Sequence, residues 1–237
     1  LVDICKYPIL GGCHYFPKTL EKTHERWKDL GIKLQSSRLA WDLFDYSNST
    51  EVPEFKSDLM ILSGLWNYKG KNAKKYIFPL LSPNNNYDVK IWGNSDWGVP
   101  QYMGCLEQSY TKYAMKSSKI CLNVSEPHAS KYQCEYPERP IKLAGNKCFC
   151  ISDYCALKDN MFENDEMIFC DSPEEYKDKI DYFLANPDER LPYIEKAYKK
   201  DISGHSYFHV CSELLNGMNI PHKIMDGYEK VKKELCL

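Results

Sequence analysis

The densest collection of chemistry-bearing side chains lies in SEPHASKYQCEYPERPIK, Ser125–Lys142, which contains His128, Glu135, Glu138, Arg139 and Lys142. Arg139 carries a planar fork of donors that matches a phosphate bidentately. The same fork would equally serve a surface ion pair with Glu135 or Glu138. His128 follows an apolar run and can bond a hydroxyl or a phosphate, or simply pack. A second collection is GLWNYKGK, Gly64–Lys71, where Gly64 and Gly70 permit close backbone approach and Lys69 and Lys71 supply positive charge. A solvated turn would have the same composition. No Asp-x-Asp pair and no Cys-x-x-Cys pair occurs, so no metal site is expected. The dinucleotide fingerprint G-x-G-x-x-G is missing as well.

These residues need elements to hold them. Short apolar, β-branched runs alternate with helical stretches, the pattern of a parallel sheet covered by helices on both faces. Strands are predicted at Asp58–Ser63, Tyr87–Trp92, Lys119–Val124, Cys148–Ser152 and Glu166–Cys170. Helices are predicted at Lys74–Leu81, Leu106–Lys116, around Arg139–Gly145, from Ser172 to about Leu184, and at Asp188–Lys200 and Tyr207–Leu215. The helix after Ser172 has the clearest start, because Ser172 can cap, Pro173 suits the first helical position and Glu175 completes a capping box. Residues 1–55 are less regular, with Gly11, Gly12, Pro8 and Pro17 preceding a helix at about Thr19–Leu30. The tail from Ile220 reads as a charged helix.

With 237 residues, 43% hydrophobic and 27% charged, the chain has the composition of a soluble globular protein. A net charge of -2 argues against holding nucleic acid through a broad basic face. No run approaches the ~18 apolar residues of a membrane span, and no secretory pattern opens the chain, so a cytoplasmic protein is expected. The 11 cysteines are then expected as reduced, small apolar residues. The sequons at Asn48 and Asn123 are expected to be chance matches.

The stretches RPIKLAGNKCFCISDY and NDEMIFCDSPEEYKDKIDYFLANPDERLPYIEKAYKKDISGHSYFHVCSELL resemble the C-terminal domain of group 1 glycosyltransferases, especially the spore-maturation-like branch. The resemblance covers roughly residues 38 to 215. It implies an α/β, Rossmann-like domain of the GT-B type with a short or truncated N-terminal domain. Residues 1–55 would be a reduced acceptor-side region, 56–215 the nucleotide-sugar-binding domain and 216–237 a helical tail. In such folds the donor lies beyond the carboxyl ends of the strands, where loops and helix N-termini meet phosphate.

By position in the family, Gly64, Trp66, Asn67, Lys69 and Lys71 would approach the diphosphate. Gly93, Asn94, Tyr102 and Met103 would approach the base, and Ser125 and Glu138 the sugar and ribose. Arg139, Lys142, Glu135 and His128 would be the catalytic set. Lys142 departs from the family, which has a glutamate there, and a lysine cannot accept from a ribose hydroxyl. His205 belongs to the family's tail phrase and is expected to cap or pack. The expected activity is sugar transfer from a nucleotide-diphosphate sugar to a glycan or other hydroxyl acceptor, with neither metal nor cofactor. The alternatives are a catalytically inactive binding or scaffolding module and another nucleotide-binding α/β protein. A base for an inverting reaction would come from the N-terminal part, where Asp3, His14, Glu21, His24 and Glu25 are available. Other domains of a longer polypeptide are conceivable partners.

Overall fold

The computed structural model describes residues 10–13, 16–132, 135–155 and 157–237. Asp3 and His14 lie outside the described residues. The chain opens with a parallel pair, β1 (Leu10–Cys13) and β2 (Lys33–Ser36), linked through α1 (Pro17–Thr23) and α2 (Glu25–Asp29). The single helix expected at Thr19–Leu30 is thus two, because His24 leaves the helical region (φ -119°, ψ 27°) and ends one while starting the other. A short α3 (Leu43–Tyr46) follows, with Asp42 Oδ1 accepting from the Phe44 and Asp45 amides.

The main body alternates strand and helix. In order come β3 (Ser57–Leu62), α4 (Gly70–Tyr76), β4 (Val89–Trp92), α5 (Gln108–Ser117), β5 (Ser118–Asn123), α6 (Pro127–Tyr132) and α7 (Glu138–Gly145). Then come β6 (Cys150–Asp153), α8 (Leu157–Asn160), β7 (Ile168–Cys170), α9 (Pro173–Ala185), α10 (Leu191–Gly204), α11 (Tyr207–Gly217) and α12 (Ile224–Glu234). The five later strands form one all-parallel sheet in the order β4-β3-β5-β6-β7. This is the Rossmann-like architecture that the alternation of strands and helices predicts.

Strand alternation sorts the core into two layers. Leu59, Ile61, Ile120, Leu122 and Ile151 face one way and pack with residues of α4 and α9. Met60, Cys121 and Cys150 face the other and pack with residues of α5, α7 and α10. Coverage on both faces is what near-continuous apolar strands require. In α9, Tyr176, Ile180 and Phe183 recur on one face and are buried, and Ser172 Oγ accepts from the Glu175 amide at 3.1 Å. The Glu175 carboxylate reaches the Asp171 amide (2.8 Å), one residue earlier than a standard capping box.

Several boundaries differ from the expected ones for local reasons. Helix α4 begins at Gly70 rather than Lys74, since the Trp66 carbonyl accepts from both the Lys69 and Gly70 amides and starts the turn early. Pro79 stops it before Leu81, leaving a 3-10 turn at Phe78–Leu80. Lys147 adopts φ +52°, so β6 starts only at Cys150 and runs on to include Asp153. Residues 187–190 form a 3-10 turn before α10. The short helices α6 and α8 were not expected from sequence periodicity. Among the described residues no helix is long and apolar enough to cross a membrane.

Candidate functional site

From β3 the chain adds β4 on one side and β5 on the other, so the carboxyl ends of β3 and β5 form the switch point of the sheet, the usual place for a crevice. Arg139, in the first turn of α7, spans it. Its Nε donates to the Leu62 carbonyl at the end of β3 (2.7 Å) and its Nη1 to Asn123 Oδ1 at the end of β5 (2.6 Å). The Asn123 amide nitrogen donates in turn to Ser152 Oγ (2.8 Å). Two of the five guanidinium N–H groups are thereby spent, leaving three, including both on Nη2.

A cavity of about 310 Å³ opens at this place, and Arg139, Lys69, Asn123, Ser125, Glu138 and Lys142 are among its lining residues. Pro137, Glu138 and Arg139 bring the amino end of α7 to its wall, and among the described residues no side chain caps that end. The positive end of the helix dipole therefore faces the cavity. Lys69 is buried, and burial together with the Arg139 charge brings its ammonium down to about 7, against the opposing pull of Glu126 and Asp153. Burial also lowers the Arg139 guanidinium below its ordinary value.

Beneath the cavity Asp153 closes β6. Its Oδ1 accepts from both the amide and the hydroxyl of Ser125, each at 2.9 Å, and the Ser125 carbonyl accepts from Asn72 of α4 (2.8 Å). The loop after β5 is thus pinned to β6 on one side and α4 on the other. Burial pushes the Asp153 carboxyl up to about 6, while the Ser125 bonds, Lys69 and Arg139 favour its charged form.

The carboxylates around the cavity are engaged. Glu138 pairs with Lys142 one helical turn along (2.6 Å), which engages one of the three ammonium donors of Lys142. Glu126 and Glu135 flank the two ring nitrogens of His128, each at 3.6 Å, and the Tyr68 ring lies 6.3 Å from that imidazole. Among the described residues no group of three or more His, Cys, Asp or Glu side chains could hold a metal ion.

The structure thus brings Lys69, Ser125, Glu135, Glu138, Arg139 and Lys142 to one cavity, with His128 beside it. It does not bring the rest of the expected set there. A Cβ on Gly93 would lie 2.2 Å from the Ser63 carbonyl oxygen, and one on Gly64 would lie 2.5 Å from Asn94 Oδ1. These glycines let two loops of the protein touch each other, and Asn94 fills the space beside Gly64. The Tyr102 hydroxyl donates to the Gly93 carbonyl (2.7 Å) and the Met103 amide to the Ile91 carbonyl (2.8 Å), so both extend the β4 edge. Trp66, Asn67 and Lys71 are exposed and do not line the cavity.

Asn123, Asp153 and Glu126 were missed. The available signal was a polar residue closing an apolar strand, as in ICLN and CISD. The buried, doubly bonded Asn123 amide also shows what that sequon is used for. His205 packs as expected, its Nδ1 accepting from Arg38 Nε (3.1 Å) and its pKa driven down to about 4 by burial.

The fold resembles several solved structures. Sucrose-phosphate synthase from Thermosynechococcus elongatus shares 10% identity over 84% of this chain and 55% of its own, with a TM-score of 0.60. Anabaena HepE, solved with UDP and glucose, shares 9% over 89% and 63%, with a TM-score of 0.64. T4 phage BGT, solved with UDP and Mn2+, shares 11% over 99% and 64%, with a TM-score of 0.59. The chain therefore spans between 55% and 64% of these proteins' length, and at such identities the likeness establishes the fold alone. No curated protein matches the sequence. The family model described as glycosyl transferase-like matches residues 74–216, a span that runs from α4 through the switch-point cavity to α11, and by that match the chain belongs to the glycosyl transferase-like family.

Proposed function

We propose that this chain carries the donor pocket of a glycosyltransferase that moves a sugar from a nucleotide-diphosphate sugar to a hydroxyl of a glycan or other acceptor. The observation that carries the reading is the placement of Lys69 and Arg139 in one cavity at the sheet's switch point, beside the uncapped end of α7. Glycosyl transfer builds negative charge on the departing diphosphate, and preorganised cations and dipoles at that place lower the barrier. The free donors of Arg139 and the ammonium of Lys69 supply this neutralisation without a metal ion. Glu135 and Glu138 line the cavity and would accept from ribose or sugar hydroxyls. The phrase DSPEEYKDKIDYFLANPDER supports the spore-maturation-like branch.

One observation favours a second reading, binding without turnover. Lys142 stands at the position where the family has a glutamate, and its ammonium is tied to Glu138. A panel of UDP-, GDP- and dTDP-sugars, followed by thermal shift and by release of free nucleotide, separates the two. Binding and acceptor-dependent release, both persisting in excess EDTA, are expected. Binding with no release under any acceptor supports the inactive module. Loss in EDTA with recovery in Mn2+ refutes the metal-free mechanism, and no binding of any nucleotide sugar refutes the donor pocket.

A further inference from the structure

Lys69 is 7% exposed, lines the cavity and makes no ion pair or side-chain hydrogen bond among the described residues. Three charged groups face it: Arg139 from α7, Glu126 from the loop after β5 and Asp153 from the end of β6. Glu135, Glu138 and Lys142 line the same cavity, and His128 stands at Glu126 and Glu135. The acids that could compensate Lys69 have other partners. Asp153 spends Oδ1 on Ser125, Glu138 holds Lys142 and Glu126 flanks His128. The lysine is therefore buried next to a permanent cation with no carboxylate closing on it, an arrangement that disfavours its charged form.

We propose that Lys69 is a proton-taking group, largely uncharged in the empty pocket at mildly alkaline pH and protonated when a nucleotide-diphosphate ester binds. The inference rests on the donor-pocket reading. The proton comes from solvent and forms an N–H bond with the Nζ lone pair. The bound diphosphate then holds the ammonium by a charge-assisted hydrogen bond. Asp153, whose charge favours the ammonium, sets where on the pH scale this happens.

The direction follows from linkage. Burial and Arg139 bring Lys69 to about 7 in the free pocket. A bound dianion raises it, so affinity is full below pH 7 and falls as pH rises through that value. If the bound lysine stays charged to pH 8.5, affinity there should be roughly 30-fold weaker than at pH 6. UDP-, GDP- and dTDP-glucose suit the test, because a diphosphate diester has no group titrating in this range. Calorimetry in HEPES and in Tris, whose ionisation enthalpies differ, should show uptake approaching one proton at pH 8. In Lys69→Arg, which stays charged, uptake and the fall in affinity should both vanish. In Lys69→Met, affinity should be weak and level across the range. In Asp153→Asn, which can still accept from Ser125, the midpoint should move to lower pH. Binding that is level from pH 6 to 8.5, with no proton uptake in the unmodified protein, overturns the proposal and leaves the donor pocket standing. Absence of binding at every pH removes both.

Discussion

Replacing Arg139 by alanine tests whether this side chain is only a phosphate contact or also a structural brace. It removes a charge-assisted bond to the Leu62 carbonyl and another to Asn123 Oδ1, the two contacts by which α7 ties β3 to β5. Bonds to a charged group contribute about 1.5–3 kcal/mol each, and acceptors stranded by truncation cost about 1–3 kcal/mol. The adjoining cavity of about 310 Å³ admits water to the stranded acceptors, which offsets part of the loss. A net destabilisation of about 3 kcal/mol is expected, equivalent to about 6–12 °C in Tm for a chain of this size. Arg139→Lys should recover less than half, since one ammonium lacks the fork that reaches both strands. Urea unfolding followed by circular dichroism gives the free energies directly. A loss below 1 kcal/mol in Arg139→Ala would refute the brace, and any effect on nucleotide binding would then belong to the phosphate contact alone. Binding should be compared at a temperature where both proteins remain folded.

Lys142→Glu would place a second carboxylate one turn from Glu138, exchanging an attraction for a repulsion worth about 1 kcal/mol in helix stability. It should also weaken nucleotide-diphosphate binding several-fold, whereas Lys142→Met, which keeps the stem, should change affinity little. Equal or tighter binding in Lys142→Glu, measured by calorimetry, would remove Lys142 from the phosphate environment. Asp201 of α10 is fully buried, and among the described residues neither carboxylate oxygen has a hydrogen bond of good geometry, the Gly145 amide giving only a weak pull toward the charged form. Burial raises its pKa well above the usual range, so its contribution to stability is full below about pH 4 and is lost as pH rises through the folded-state value. Asp201→Asn should therefore gain stability over the unmodified protein between pH 5 and pH 8 in urea unfolding, and parallel curves at the two pH values would contradict this.

Much of the sheet was legible because central parallel strands are apolar on both faces and leave an uninterrupted signal, as in DLMIL and KICLN. The α9 start was equally plain, since Ser172, Pro173 and Glu175 each satisfy a separate requirement of a helix end. Helix α6 escaped because six residues, Pro127–Tyr132, are too few to show a period. In the site, Arg139 was legible from its chemistry, but its use as a brace between two strands depends on contacts 77 and 16 residues away in the chain. The close contacts of Gly64 and Gly93 with the chain itself were hidden for a related reason. A glycine signals that something approaches the backbone closely, and the sequence does not say whether that is a ligand or another part of the same chain. Here it is the chain.

The segment from β2 to Trp41 is fastened to the far end of the sequence. Lys33 Nζ donates to the Gly217 carbonyl, Gln35 Nε2 to the Glu213 carbonyl, and Arg38 grips both the Glu213 carboxylate and the Gly204 carbonyl across separations of 166 to 184 residues. Closing so long a loop from an open chain costs entropy before any contact repays it. Once the five-stranded sheet is built, α11 is delivered to β2 as part of a folded body and the loop is already closed. The clasp around Arg38 should then be among the last contacts made in folding and the first released under mild denaturation, observable as early loss of amide protection in Leu34–Trp41. The segment ahead of the five-stranded sheet thus waits for α11, on its far side in the sequence, before it can settle.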